Sequence, residues 1–167
     1  MRKQQAALGS AVFFLGAPCV VAGVLPWWIT GWTRPTRPTW LAVVSIVMGG
    51  ALMLAGLVLL VRAFVRFVSE GLGTPAPVAP TERLVVGGEY RYVRNPMYVG
   101  VEAIVLGQAV LFGSVPLLLY ALASWLGMAA FVRCYEEPTL RRRFGEQYEQ
   151  YRSSVRGWWP RLRPWRP

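Results

Sequence analysis

Apolar residues dominate this chain in long runs, and polar residues are gathered into the breaks between them. The first run, AALGSAVFFLGAPCVVAGVLPWWIT over residues 6–30, is long enough for a membrane-crossing helix. MRK before it resembles the start of a signal peptide. The run is too long for a signal's apolar core, however, and it lacks a small-x-small cleavage site. It is expected to be a retained helix, bent near Pro18 and closed by Trp27, Trp28 and Trp32 as an interfacial aromatic belt. After the turn TRPTRPT, residues 40–67 predict a second span in which Gly49, Gly50 and Gly56 permit close helix packing. Residues 69–97 form a long polar connection, a kind of segment that is usually functional.

Two shorter runs, 98–113 and 116–133, flank Ser114-Val115-Pro116 and predict a tight helical hairpin. In EEPTLRRRFGEQYEQYRSSV, Pro138 suits a first turn. Leu140, Phe144, Tyr148, Tyr151 and Val155 then recur at helical spacing, which predicts one amphipathic helix. The tail WWPRLRPWRP suits an interfacial strip. The pattern as a whole reads as one all-α, polytopic membrane domain over residues 1–167. It has about four spans and a C-terminal amphipathic helix at the cytoplasmic face.

Charge changes this picture by giving it an orientation. The composition is 54% hydrophobic, yet the net charge is +10. Basic loops between apolar helices combine those two properties, and the long uncharged runs argue against a nucleic-acid partner. With both termini cytoplasmic, only Arg34 and Arg37 of the 18 basic residues fall outside. A cell-membrane protein with cytoplasmic termini is therefore expected. Residues 69–97 and the Glu136-Glu137 pair then share one membrane face.

The chemistry available there is restricted. Histidine and aspartate are absent, and all eight acidic residues are glutamates. Cys19 and Cys134 lie far apart, so no metal site or disulfide framework is expected. Arg91 and Arg94 bring fixed positive charge, while Tyr90, Tyr92 and Tyr98 bring hydroxyls and rings. Such a face suits a ligand carrying a carboxylate, an amine and an aromatic base, as S-adenosylmethionine does. Glu102 follows Tyr98 by one turn, where a carboxylate in a span costs about 2.5–3.5 kcal/mol if central. It reads either as a functional group or as the partner of an arginine such as Arg91 or Arg62. Each residue also has a plainer reading: lipid anchors for the arginines, a helix cap for Asn95, packing for Tyr148 and Tyr151, and anionic-lipid contact for Arg141, Arg142 and Arg143.

Two linked motifs carry the argument further. GEYRYVRNPMYVG and YEEPTLRRRFGEQYEQYRSSVRGWWPR resemble bacterial relatives of isoprenylcysteine carboxyl methyltransferase and phospholipid methyltransferase. The resemblance covers about residues 84–163. It implies an integral-membrane enzyme that uses S-adenosylmethionine. It implies that Tyr98 and Glu136 contact the cofactor, with Arg94 and Glu137 shaping its pocket. Together with the reading of the residues, the cofactor-site candidates are Tyr92, Arg94, Asn95, Pro96, Tyr98, Gly100, Glu136 and Glu137, the candidates for catalysis are Arg94, Glu102 and Glu137, and no metal is expected. Asn95 stands where many members have histidine; an amide hydrogen-bonds but does not titrate. Without histidine the sequence leans toward an acceptor that is already anionic, or toward Glu102 as base. A small lipophilic acceptor such as an isoprenylcysteine-like carboxylate is expected, with phospholipid N-methylation as the alternative. A non-enzymatic scaffold or transporter subunit and a reductase-type membrane enzyme are the rivals. Membrane lipids are the expected surroundings, and the glycine-rich spans leave room for a homodimer.

Overall fold

A computed structural model of the chain describes residues 16–71 and 83–166. Arg2, Lys3, the start of the first apolar run and TPAPVAP lie outside the described residues. The described part is all-helical. Helix α1 spans Gly16–Thr30 and α2 Thr39–Gly71. A short 3-10 turn, Gly88–Arg91, precedes α3, Pro96–Phe112. Then come α4, Val115–Phe131, α5, Glu137–Phe144, and α6, Glu146–Ser154.

Two stretches, Thr39–Glu70 and Val115–Phe144, are long and apolar enough to cross a membrane. Only 22% and 17% of their most apolar windows are buried, so they turn their hydrophobic side chains outward. The outward surface includes Val47, Leu54, Leu119 and Leu122. A bilayer solvates such a surface and water does not. Helices α1 and α3 are shorter and apolar.

The contact between α2 and α3 is made by glycine. A Cβ on Gly56 would lie 2.6 Å from the Gly100 carbonyl, and one on Gly49 would lie 2.6 Å from the Gly107 carbonyl. The two pairs are seven residues apart on both helices, so the backbones touch along two turns. Leu60 and Ala63 continue the same buried face of α2. Gly50 instead faces open space. Two of the three glycines expected to serve packing are thus used inside the chain, and a homodimer contact would need another surface.

Helix α1, expected to bend near Pro18, is irregular just beyond that residue. Its irregularity is a wider π turn at Val20–Val24, just before Pro26. Pro26 has no N–H to donate, and its ring crowds the preceding turn. Other helices supply the missing donors: Gln108 Nε2 donates to the Ala22 carbonyl at 2.6 Å, and Tyr120 Oη to the Val21 carbonyl at 2.8 Å. The Gln108 oxygen accepts from Trp32 Nε1 at 3.3 Å, so this amide of an apolar helix is 3% exposed and used at both ends. Trp32 thus directs its indole N–H to Gln108, yet it stays exposed like Trp27 and Trp28.

A second π turn, Val132–Glu136, precedes Pro138 in the same way and joins α4 to α5. At the other end of the hairpin, Ser114 Oγ accepts from the Leu117 N–H at 3.3 Å, capping α4. The expected single amphipathic helix is two short helices. Gly145, at φ +52°, breaks it between Phe144 and Glu146. The named face still packs together: Tyr148, Tyr151 and Val155 are buried with Ala63, Val85 and Tyr90, and Leu140 and Phe144 lie against them.

The glycine contact makes a specific prediction. Gly56→Leu should lower stability by about 1–3 kcal/mol through overpacking, whereas Gly50→Leu should leave it near wild type. Thermal unfolding of the two variants in the same detergent checks the contrast.

Candidate active site

The segment before α3 is shaped by three anchors. Gly88 turns the chain at φ +52°. Glu70 accepts from the Gly87 N–H at 3.0 Å, and Glu89 pairs with Arg62 at 2.6 Å. Residues 91–95 are then held by the C-terminal tail, whose backbone runs against them. The Arg94 N–H donates to the Arg156 carbonyl at 2.9 Å, and the Asn95 N–H to the Gly157 carbonyl at 3.2 Å. The Arg161 and Trp165 N–H groups donate to the Tyr92 and Arg91 carbonyls, both at 2.9 Å. The tail is thus a strap over the RNPMY segment. Its Trp158 ring sits 6.3 Å from the Tyr98 ring and 5.9 Å from Trp125.

Beneath this segment is a cavity of about 200 Å³. Arg94, Asn95, Tyr98 and Glu136 form its polar side. Pro96, Met97 and Val101 of α3 continue the wall, with Met128 of α4 beyond. Leu60 and Phe67 of α2 face them, Tyr90 closes the end near the 3-10 turn, and Ala17, Pro18 and Val21 of α1 form an apolar side. The cavity is therefore two-sided, polar at the helix ends and apolar toward the middle of the bundle.

Charge is arranged so that one donor is left over. Arg94 Nη1 meets Glu137 Oε1 at 3.0 Å and the Tyr148 hydroxyl at 3.1 Å. Glu137 also receives Arg152 at 3.2 Å. The Arg94 and Glu137 side chains are only 14% and 13% exposed, so the pair is well shielded. Arg94 Nε is buried and has no hydrogen-bond partner. Burial pushes the Tyr148 hydroxyl up, with the Arg94 charge pulling against it, and burial likewise raises Tyr151. Both stay protonated at neutral pH. Tyr151 donates to the Tyr90 carbonyl at 2.7 Å, which fixes the end wall. On the other side, the Tyr98 hydroxyl donates to Glu136 Oε2 at 3.3 Å.

A family model described as phospholipid methyltransferase matches residues 44–147, more than half of the chain. This chain belongs to that family. A Schizosaccharomyces pombe protein named protein-S-isoprenylcysteine O-methyltransferase is 42% identical over 73 residues. That match covers 43% of this chain and 30% of the yeast protein, so the chain spans under a third of that relative's length.

Within this family member, the residues expected at the site divide into three groups. Arg94, Asn95, Pro96, Tyr98 and Glu136 line the cavity together. Asn95 occupies the position before α3 but makes no capping bond with its side chain, which leaves its amide for a ligand. Glu137 stands behind Arg94 as its counter-ion. Tyr92, Gly100 and Glu102 lie off the wall. Tyr92 is exposed and contributes its carbonyl to the tail. Gly100 is spent on the contact with Gly56. Glu102 accepts from Ser124 Oγ at 3.0 Å, one turn beyond Tyr98, and no arginine meets it; Arg62 goes to Glu89.

Phe67, Leu60, Met128, Ala17 and Val21 were not singled out in the sequence, and Pro18 only as a bend. For α2 a signal exists: Gly49, Met53, Gly56, Leu60, Ala63 and Phe67 follow one another by alternating steps of four and three. Trp158 carried no signal, because its role depends on the tail folding back.

The Arg94–Glu137 pair yields a prediction. Glu137→Ala should destabilise the protein by about 3 kcal/mol, because it strands the shielded Arg94 guanidinium without its counter-ion. Glu137→Gln, which keeps an acceptor, should cost less. Denaturation midpoints of the two variants test the order.

Proposed function

We propose that this protein is an S-adenosylmethionine-dependent methyltransferase acting on a small lipophilic acceptor at the cytoplasmic face of the cell membrane. In this reading α1 to α4 are four spans and both termini are cytoplasmic. The carrying observation is the convergence of Arg94, Asn95 and the Tyr98–Glu136 pair on one cavity, with the buried Arg94 Nε left without a partner behind it. A buried donor without a partner is costly unless a ligand supplies the acceptor.

The residues present fit the cofactor. Arg94 suits its carboxylate, and Glu136, steadied by Tyr98, suits its ammonium group or ribose hydroxyls. Asn95 has both an acceptor and donors to offer, and Phe67 and Tyr90, with rings 6.4 Å apart, present aromatic surface for a base. When bound, S-adenosylmethionine supplies a methyl group on a positively charged sulfur, open to in-line displacement. The chain's own task is alignment, and holding two reactants in line is worth roughly 7–11 kcal/mol. The apolar side, lined by Val21, Leu60, Val101 and Met128, suits an acceptor arriving from the bilayer.

An acceptor that arrives as a carboxylate or thiolate needs no base. The match to a phospholipid methyltransferase model favours a second reading, a phospholipid amine. In that reading Glu102, one turn beyond Tyr98 though off the cavity wall, would take the proton that an amine must lose.

Incubation of purified protein with methyl-labelled S-adenosylmethionine and either a farnesylated cysteine derivative or phosphatidylethanolamine tests both readings. Label should pass to one acceptor: base-labile if an ester forms, base-stable if an amine is methylated. Glu136→Ala should reduce transfer about a hundredfold, the scale of a lost charged contact. Glu102→Gln should reduce transfer only if the acceptor is the amine. Transfer unaffected by Glu136→Ala would refute the assignment of the cavity.

A further inference from the structure

The opposite end of the bundle carries a second charged feature that the methyl-transfer reading does not use. Between α1 and α2, residues 33–38 form an extended turn, with Pro35 and Pro38 stiffening it and Arg34 and Arg37 projecting from it. Beside this turn is a small cavity of about 70 Å³, lined by Arg34, Pro35, Arg37, Ser45, Ile46 and Leu111 among others. Arg37 Nη2 donates to the Phe112 carbonyl at 2.6 Å, which ties the turn to the C-terminus of α3. Among the described residues, neither Arg34 nor Arg37 makes an ion pair.

The sequence explains why. The chain holds no aspartate or glutamate between residues 1 and 69, and none between 103 and 135. Every residue of the loop, of the hairpin turn and of the adjoining helix ends is therefore neutral or basic. Two guanidinium groups line one cavity, and among the described residues no carboxylate pairs with either, so the neutralising anion must come from outside. The surroundings specify its kind. Trp28 and Trp40 are 78% and 68% exposed near the same end, as residues at a lipid headgroup level are. Below the cavity, Val43, Ile46 and Val47 turn outward along α2 and offer an apolar track for an acyl chain.

We propose that Arg34 and Arg37 form a phospholipid site at this end of the bundle, binding the headgroup phosphate in the small cavity while an acyl chain lies along α2. Arginine suits this task because its planar fork matches phosphate oxygens. The proline-stiffened turn is ordered beforehand, so little freedom is lost on binding. The site is separate from the methyl-transfer cavity and does not depend on that activity.

Native mass spectrometry of detergent-purified protein tests this. Phosphatidylglycerol is added beside diacylglycerol of the same chains or inorganic phosphate. The wild type should retain phosphatidylglycerol at one tight site and discriminate against diacylglycerol. Arg34→Gln should weaken that site about tenfold, the scale of one charge-assisted contact; Arg34→Lys, which keeps the charge but not the fork, should weaken it less, and Arg142→Gln should leave it unchanged. Arg34 is exposed and ties down no other element, so its replacement leaves the fold intact, and an unchanged melting temperature checks this. Equal retention by Arg34→Gln, equal retention of diacylglycerol, or no tight lipid at all would overturn the proposal. Displacement of the lipid by inorganic phosphate alone would overturn the lipid assignment in favour of a free-anion site.

Discussion

Close approach of α2 and α3 at Gly49–Gly107 and Gly56–Gly100 is the constraint on which the remaining architecture depends. In lipid there is no hydrophobic force to drive two apolar helices together, so backbone proximity and van der Waals contact must hold them. Glycine at both partners allows that. Once the helices are fixed at this distance, Leu60 and Phe67 of α2 stand across from Pro96, Met97 and Val101 of α3, and the gap between them is the cavity. Side chains larger than glycine at the contact would separate the two walls. The cavity is therefore a consequence of how the helices pack and needs no separate scaffold.

Prolines shape the other two walls. Both π turns come directly before a proline, Val20–Val24 before Pro26 and Val132–Glu136 before Pro138. In α1 the proline frees carbonyls that Gln108 and Tyr120 then capture, which draws an otherwise exposed helix against the hairpin and gives the cavity its apolar side. In the α4–α5 junction the widened turn carries Glu136 to the cavity and leaves Glu137 one residue on, facing Arg94. Two adjacent carboxylates thereby acquire different work. Glu136 is exposed to a ligand, and Glu137 is committed to holding Arg94 and Arg152. The backbone of the tail completes the arrangement by fixing residues 91–95 from outside.

Much of this was legible in the chain, for identifiable reasons. Apolar run lengths, the Ser114 turn and Pro96 gave the hairpin, because those signals are local. The tyrosine face of the last helices was legible from its spacing, but its break at Gly145 was not, since a glycine within a helical pattern is often tolerated. Arg94, Tyr98 and Glu136 converge as their motifs suggest. Gly100 and Tyr92 belong to the same motif, yet one serves helix packing and the other the tail, which shows that a motif mixes ligand contacts with the framework that carries them. The strap itself was hidden, because backbone hydrogen bonds between residues 62–74 positions apart leave no mark on side-chain pattern. The irregular turn in α1 was partly visible: a proline at position 26 announces a missing donor, and Gln108 in an apolar helix announces a spare one.

The central claim is that the wall formed by Arg94, Tyr98 and Glu136 receives S-adenosylmethionine. Calorimetric titration of detergent-purified protein with S-adenosylhomocysteine, for the wild type and for Arg94→Lys, addresses it most directly. Lysine keeps the charge but loses the geometry of the guanidinium. Saturable binding by the wild type at one site per chain, weakened about tenfold or more in Arg94→Lys, is the predicted result. Absence of binding by well-folded wild type, or equal binding by the variant, would contradict it.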